Sequence, residues 1–377
     1  MRVVQVNYVA DPAFRSPDEL LDRYFTLTGW SDALRAAGAG NMDVRVVQRF
    51  RRDDTRTRRG VEYVFCASET RLRAAAAAFA PDVVHVNGVG FPVRTWRLRR
   101  GLPMSAAVIA QAHSDPAAIG RAPLFRAAAR GLRGAVDAFL FAADEHGQTW
   151  RDAGFAGPSQ RIYQVMEAST RFRARARDAA RRETAISGRP AVLWVGRLNA
   201  NKDPLTVLDG FERAIAELPE ATLTMGYSTA ELLRDVRMRI ESSEALRRSV
   251  RLAGAVPHDR LPSFFSAADL FVTGSHHEGS GYSLMEAMAC GATPVVTDIP
   301  TFRVMLSGRV GRLWTPGDAS GCAAALVDAA RLDLDAERLR IIDHFDRELS
   351  WDAVGRRAIE IYRSVVGSRK SEVDGSR

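Results

Sequence analysis

LFVTGSHHEGSGYSLMEAMACGATPVVTD, residues 270–298, reads as a strand, a glycine-rich turn, a short helix and a second strand in succession. Residues 270–273 form an apolar run of the kind that a strand buried on both faces requires. Gly279 and Gly281 then free the backbone to turn and to approach a ligand closely. The pattern predicts a helix over about 283–290 and a new strand over 293–297. Such a unit is one step of a parallel α/β sheet, whose ligands sit beyond the carboxyl ends of the strands. Glu278 lies in the loop, and Glu286 lies about one turn into the helix. Placed so, two carboxylates can flank one polyhydroxylated ligand and accept hydrogen bonds from vicinal hydroxyls. Glu286 has a second reading, because Ser283-x-x-Glu286 is also the pattern of a capping box. The plain alternative for Glu278 is exposure to solvent.

Upstream, AVLWVGRLNANKDPLTVLDGF (residues 191–211) repeats the design. A buried strand ends at Val195, Gly196 permits a tight turn, and the loop carries Arg197 and Lys202. Asp203-Pro204 supplies an N-cap and a first-turn proline for the next helix. Two cations beside a helix start suit an anion, since its N–H groups and dipole favour negative charge there. A diphosphate fits: Arg can fork onto two oxygens while Lys acts as a point charge. The alternative is a pair of solvated loop charges. Of the 53 basic residues only Lys202 and Lys370 are lysines, which makes the placement of Lys202 informative.

The same alternation of short apolar runs and helical patterns fills the chain. Strands are expected over 3–8, 44–47, 63–66, 83–87, 107–112, 138–142 and 162–165. A second set is expected over 191–195, 221–225, 250–252, 270–273, 293–297 and 310–314. Helical stretches between them include 17–37 and 117–132. Two sets of parallel α/β units in 377 residues indicate two domains. Residues 171–190 are charged, end in Gly188-Arg189-Pro190, and read as the connection. Residues 351–367 form an amphipathic helix, and 368–377 read as a frayed polar tail.

Composition narrows the function classes. With 46% hydrophobic residues the chain can bury real cores, and no apolar run approaches the roughly 18 residues of a membrane span. MRVVQVNYVADP reads as a strand entering a loop and not as a signal peptide. Cys66, Cys290 and Cys322 have neither disulfide-framework nor metal-ligand spacing, so a reducing, cytoplasmic setting is expected. Residues 1–190 hold 30 of the 53 basic residues but only 19 of the 45 acidic ones. That balance fits an acidic partner or simply an arginine-rich composition. RTWRLRR (residues 94–100) suits an anionic membrane surface, which would make the protein peripheral at the inner membrane face. Nucleic-acid binding is not expected, because the Arg-rich stretches 45–59 and 94–100 contain only Phe50 and Trp96 for stacking.

The order GRLNANKD (196–203) and LAGAVPHDRLPSFFSAADLFVTGSHHEGSGYSLMEAMACGATPVVTD (252–298) carries a family resemblance. It is similar to the C-terminal half of retaining glycosyltransferases of glycosyltransferase family 4, over about 191–327. A weaker likeness lies in SWDAVGRRAIEIY (350–362). The resemblance implies the α/β GT-B fold, two doubly wound Rossmann-like domains facing a cleft. Residues 1–170 would be the acceptor-binding domain and 191–350 the nucleotide-sugar domain, with helix 351–367 crossing back to the first. It implies that Arg197 and Lys202 hold the donor diphosphate, Glu286 the ribose hydroxyls and Glu278 the transferred hexose. Gly196, Gly279 and the backbone of Ser280, Gly281, Tyr282 and Ser283 would touch phosphate and sugar, and the loop Gly254–Val256, with Val256, would line the base pocket. No metal and no cofactor beyond the nucleotide-sugar co-substrate is expected, since no Asp-x-Asp motif is placed for one.

In the first half, His113 follows an apolar strand and precedes Asp115-Pro116. The resemblance implies a place for His113 beside the donor's anomeric carbon; the residues alone also permit a structural histidine. Asn87-Gly88, Glu145 and His146 are further candidates, and His85 reads as core. The family's Gly-Gly loop after the first strand is replaced by NYVADPAF, so acceptor contacts there do not carry over. An epimerase or phosphorylase on the same plan, or a non-catalytic nucleotide-sugar-binding protein, is the competing expectation.

Overall fold

The computed structural model describes residues 1–113 and 122–375; Asp115-Pro116 and the start of the expected helix 117–132 lie outside them. The chain divides into two units, Met1–Ser169 with Trp351–Arg377, and Thr170–Ser350.

The first unit is built on β1 (Arg2–Asn7), β2 (Asp43–Arg49), β3 (Asp54–Arg58), β4 (Val61–Cys66), β5 (Val83–Asn87), β6 (Ala107–Gln111), β7 (Ala138–Phe141) and β8 (Arg161–Gln164). They pair in the order β3-β4-β2-β1-β5-β6-β7-β8. Every pairing is parallel except β3 with β4. β6 and β7 are buried along their whole length and largely apolar, as two covered faces demand. β3 escaped the sequence reading because DTRTR has no apolar alternation. It is an edge strand, turned onto β4 through Arg59 and Gly60, both at positive φ (50° and 75°).

Several arginines of this unit are engaged by its own carboxylates and carbonyls. Arg56 and Arg58 converge on Asp18 at 3.1 and 3.0 Å, Arg58 also reaches Asp22, and Arg59 reaches Asp32 at 2.8 Å. The two guanidiniums hold the Asp18 carboxyl below its ordinary range. In residues 94–100, Arg94 pairs with Glu69 at 2.8 Å, and Arg99 donates to the carbonyls of Ala106 and Met104. Among the described residues no helix is long and apolar enough to cross a membrane.

The second unit contains β9 (Ala191–Gly196), β10 (Thr222–Tyr227), β11 (Val250–Gly254), β12 (Leu270–Thr273), β13 (Thr293–Thr297) and β14 (Arg312–Trp314). The sheet runs β11-β10-β9-β12-β13-β14, parallel throughout. Its order reverses between β9 and β12, so the carboxyl ends of these two strands flank the switch point. Both units are therefore α/β with doubly wound parallel sheets.

Three expectations need correction. Residues 171–190 are not a bare connection: they hold the helix Arg177–Thr184, fixed in the second unit by Arg181 on Asp269 at 2.7 Å. The expected helix over 17–37 is two helices, Pro17–Arg23 and Phe25–Ala37, parted at Tyr24 (φ −94°, ψ 74°). The segment 368–377 does not fray at residue 368, because the helix begun at Trp351 continues to Gly375. Arg369 anchors that extension on Asp137 at 3.4 Å and on the Met104 carbonyl at 3.1 Å. Buried thiols account for the cysteines. Burial pushes Cys66 up to about 11 and Cys290 up to about 12, so both stay protonated at neutral pH.

The long helix Trp351–Gly375 closes the first unit by packing on Phe25–Ala37. Tyr362 accepts from the Trp30 indole at 3.2 Å and meets Nδ1 of the fully buried His85. Gly355 permits close approach, since a Cβ there would lie 2.6 Å from the Ala33 carbonyl oxygen. Gly355→Leu is expected to cost about 1–3 kcal/mol by overpacking and to lower the thermal unfolding midpoint measured by circular dichroism. An unchanged midpoint would show that the two helices do not meet at this glycine.

Candidate functional site

At the end of β9 the chain enters a tight turn whose geometry its polar residues set. The Asn199 side chain accepts from the Lys202 N–H at 3.2 Å, closing the single turn Ala200–Lys202. Asp203 adopts a left-handed conformation (φ 41°, ψ 57°) and caps the helix Pro204–Ile215, accepting from Thr206 N–H at 3.3 Å. The cap that Asp203-Pro204 implies is present.

The loop after β12 is stitched to this turn. Asn201 donates from Nδ2 to the His277 carbonyl at 3.0 Å and accepts at Oδ1 from the His277 N–H at 3.1 Å. The His276 N–H donates to the Asn201 carbonyl at 2.9 Å, and His276 Nε2 lies 3.1 Å from Asp203 Oδ2. Gly274 makes room, because a Cβ there would stand 2.9 Å from the Asp203 carbonyl oxygen. Downstream, Thr301 donates to the Glu278 carbonyl at 2.7 Å. The two loops thus share one hydrogen-bonded frame.

This frame presents its charges to a pocket of about 330 Å³, whose walls include Gly196, Arg197, Lys202, Val256, Glu278 and Glu286. Lys202 Nζ is hydrogen-bonded to Glu278 Oε1, and both side chains are largely buried. Removing either partner would leave a poorly solvated charge, so the pair is costly to break one residue at a time. Arg197 is exposed, and its guanidinium has no acidic partner among the described residues. Among those residues no group of three or more His, Cys, Asp or Glu side chains gathers as a metal site.

Glu286 is not a capping residue. The helix spans Tyr282–Ala289 with Gly281 as its N-cap (φ 63°, ψ 43°), and no side chain caps it. Starting one residue earlier than the spacing suggested, the helix places Glu286 in its second turn, too far along to reach back. Its carboxylate instead meets His258 Nε2 at 3.2 Å. Tyr282 and Ser283 line the same pocket. Gly279, Ser280 and Gly281 form the turn that leads into the helix and are not wall residues.

His113 belongs to the first unit. Its Nδ1 lies 2.7 Å from Glu167 Oε2 and its Nε2 lies 3.3 Å from Asn87 Oδ1. Glu145 and His146 sit on the helix Asp144–Asp152, the glutamate exposed and the histidine half-buried. His85 is core, as expected. Sequence reasoning missed four contributors of the second unit: Gly226 and Tyr227 at the carboxyl end of β10, Ser228 just past it, and Leu261. The signal for the first three was their place at a strand's carboxyl end, next to the switch point.

Residues 189–331, which include every wall residue of the pocket, match the family model described as glycosyl transferases group 1. A GDP-mannose:cellobiosyl-diphosphopolyprenol alpha-mannosyltransferase of Xanthomonas campestris is 29% identical over 187 residues, 48% of each chain. Mannosylfructose-phosphate synthase of Agrobacterium fabrum is 36% identical over 113 residues, 28% of this chain and 25% of that one. The alignments thus span about half the length of such relatives, or less. Among solved structures, sucrose-phosphate synthase from Thermosynechococcus elongatus superposes with a TM-score of 0.69 at 17% identity, covering 98% of this chain and all of that one. The lipopolysaccharide outer core galactosyltransferase WaaB gives 0.67 at 14% identity, over 98% and 100%. At these identities the structures speak for the fold alone, which is GT-B. Pocket, fold and family match agree over this segment: residues 189–331 are similar to the family of glycosyl transferases group 1.

Proposed function

We propose that the protein is a retaining glycosyltransferase that moves a hexose from a nucleotide-diphosphate sugar to an acceptor, with the donor held in the second unit's pocket. The observation that carries this reading is the uncommitted Arg197 guanidinium on a pocket wall that also holds Lys202, Glu278 and Glu286. Cations face the place for a diphosphate, and carboxylates face the places for hydroxyl groups. The relatives named as mannosyltransferase and mannosylfructose-phosphate synthase support a hexose donor.

In the proposed reaction the acceptor oxygen bonds to the anomeric carbon. The bond from that carbon to the β-phosphate oxygen breaks, and its electron pair leaves with the diphosphate. The acceptor's proton passes to a leaving phosphate oxygen when attack comes from the leaving-group face. Charge growing on the diphosphate is the costly feature, and preorganised cations meet it without reorganisation. Arg197 forks onto two phosphate oxygens, Lys202 supplies a point charge, and the N–H groups opening the helix Tyr282–Ala289 add their dipole. In this reading no metal ion is needed. Glu278 exchanges its Lys202 partner for hydroxyls of the sugar, while Glu286 receives the ribose. His113 enters the proposal from the family resemblance, oriented at Nδ1 by Glu167.

Three measurements test this reading. A thermal-shift panel of uridine, guanosine and adenosine diphosphates and their sugar conjugates is expected to give a stabilised complex. A ligand at about 100 times its Kd adds roughly 2.7 kcal/mol, and silence across the panel would remove the donor assignment. Lys202→Ala is expected to lower kcat by about 10²–10³-fold, the scale of losing one preorganised donor to a developing anion. Its circular dichroism should match the parent protein, and unimpaired turnover would take Lys202 out of the site. Proton NMR of the product is expected to show the donor's anomeric configuration retained; inversion would exclude same-face attack.

A further inference from the structure

Glu286 presents a problem that its own helix does not solve. Its residue is only 9% exposed, and a carboxylate so placed requires hydrogen-bond partners. It also sits at the end of a side chain with three torsions. A ligand of that flexibility binds weakly unless something fixes its carboxylate beforehand.

The partner comes from a different strand end. β11 finishes at Gly254 with φ 72°, and the chain crosses 255–257 into the single turn His258–Arg260, which leads to the helix Leu261–Ala267. The turn sets the His258 ring against Phe172, with centroids 4.9 Å apart, and Phe172 in turn meets the buried Phe265 at 6.4 Å. Held from that side, His258 Nε2 stands 3.2 Å from Glu286 Oε1.

We propose that His258 is a positioning residue for the ribose-binding carboxylate: its Nε2–H holds Oε1 of Glu286, so that Oε2 is presented to the ribose hydroxyls of a nucleotide. The inference rests on the reading of Glu286 as a ribose ligand. A carboxylate offers about four lone-pair sites. One donor from His258 therefore fixes the group's orientation and leaves capacity for two vicinal hydroxyls. The hydrogen bond to Glu286 raises the His258 pKa above its ordinary value, with burial opposing. The contact therefore strengthens as the pH falls through that raised value and His258 gains a proton.

Titration calorimetry on the intact chain tests this with His258→Ala and His258→Gln. The probes are the nucleoside diphosphate that binds best, its 2′,3′-dideoxy counterpart and inorganic pyrophosphate. His258→Ala is expected to weaken the ribose-bearing nucleotide by about tenfold, the scale of one hydrogen bond to a charged group. It should leave the dideoxy nucleotide and pyrophosphate unchanged, and His258→Gln, whose amide also donates, should restore part of the loss. Equal weakening of all three probes would assign His258 a merely structural role and overturn the proposal. An unchanged or tighter nucleotide Kd in His258→Ala would overturn it as well. Failure of the parent protein to bind any nucleotide would instead strike the donor reading beneath it.

Discussion

Asn201 joins two loops that leave different strands, and the chemistry of the second unit is built on that junction. Its side chain uses both a donor and an acceptor on the backbone of His277, while its own carbonyl takes the His276 N–H. One amide thereby satisfies groups on two segments 76 residues apart in sequence. Without it, each loop would carry unpaired backbone groups at the edge of a partly buried pocket, a costly arrangement. Neutral hydrogen bonds from Asn201 make the backbone junction, and the Lys202–Glu278 and His276–Asp203 pairs add charged contacts between the same loops.

The charges are arranged so that the buried members of the pocket have partners within the second unit. Lys202 and Glu278 neutralise one another, Glu286 has His258, and Arg197 remains in solvent. A buried pair of this kind adds little net stability, because desolvation offsets attraction. In the proposed function its value lies in exchange: a ligand offering an anion to the ammonium and hydroxyls to the carboxylate would replace one set of contacts by another. Arg197 needs no such exchange. In the proposed function it is the cation that an arriving anion would meet first, and Arg suits two-oxygen recognition better than Lys does.

Much of this was legible in the sequence, for reasons that differ by element. Buried parallel strands such as residues 191–195 and 270–273 are apolar throughout, so composition alone marks them. Arg197, Lys202 and Glu278 stood out because charged residues in loops at strand ends have few packing explanations, and Glu286 because it follows Glu278 about one turn into the next helix. β3 was invisible because an edge strand of alternating Thr and Arg carries no burial signal; its arginines serve Asp18 and Asp22 instead. The capping-box reading of Glu286 failed because the N-cap is Gly281, two residues before Ser283. The helix begins at Tyr282 because Gly281 takes the left-handed N-cap conformation, where Phe302 and Met305 crowd the space a Cβ would need. That constraint comes from a distant helix. The same holds for His258, which is 28 residues from its carboxylate partner and has no local pattern to announce it. The helix Arg177–Thr184 was hidden by its charge, since its anchor Asp269 lies far along the chain.

The central claim is that the loops after β9 and β12 bind a nucleotide diphosphate through Arg197 and Lys202. A crystal structure of the protein soaked with the nucleoside diphosphate it binds best addresses this most directly. The account predicts the diphosphate within hydrogen-bond distance of both cations, with the ribose on Glu286 and the base toward Val256. A nucleotide found elsewhere, or one lying in the pocket with its phosphates turned away from Arg197 and Lys202, would contradict it.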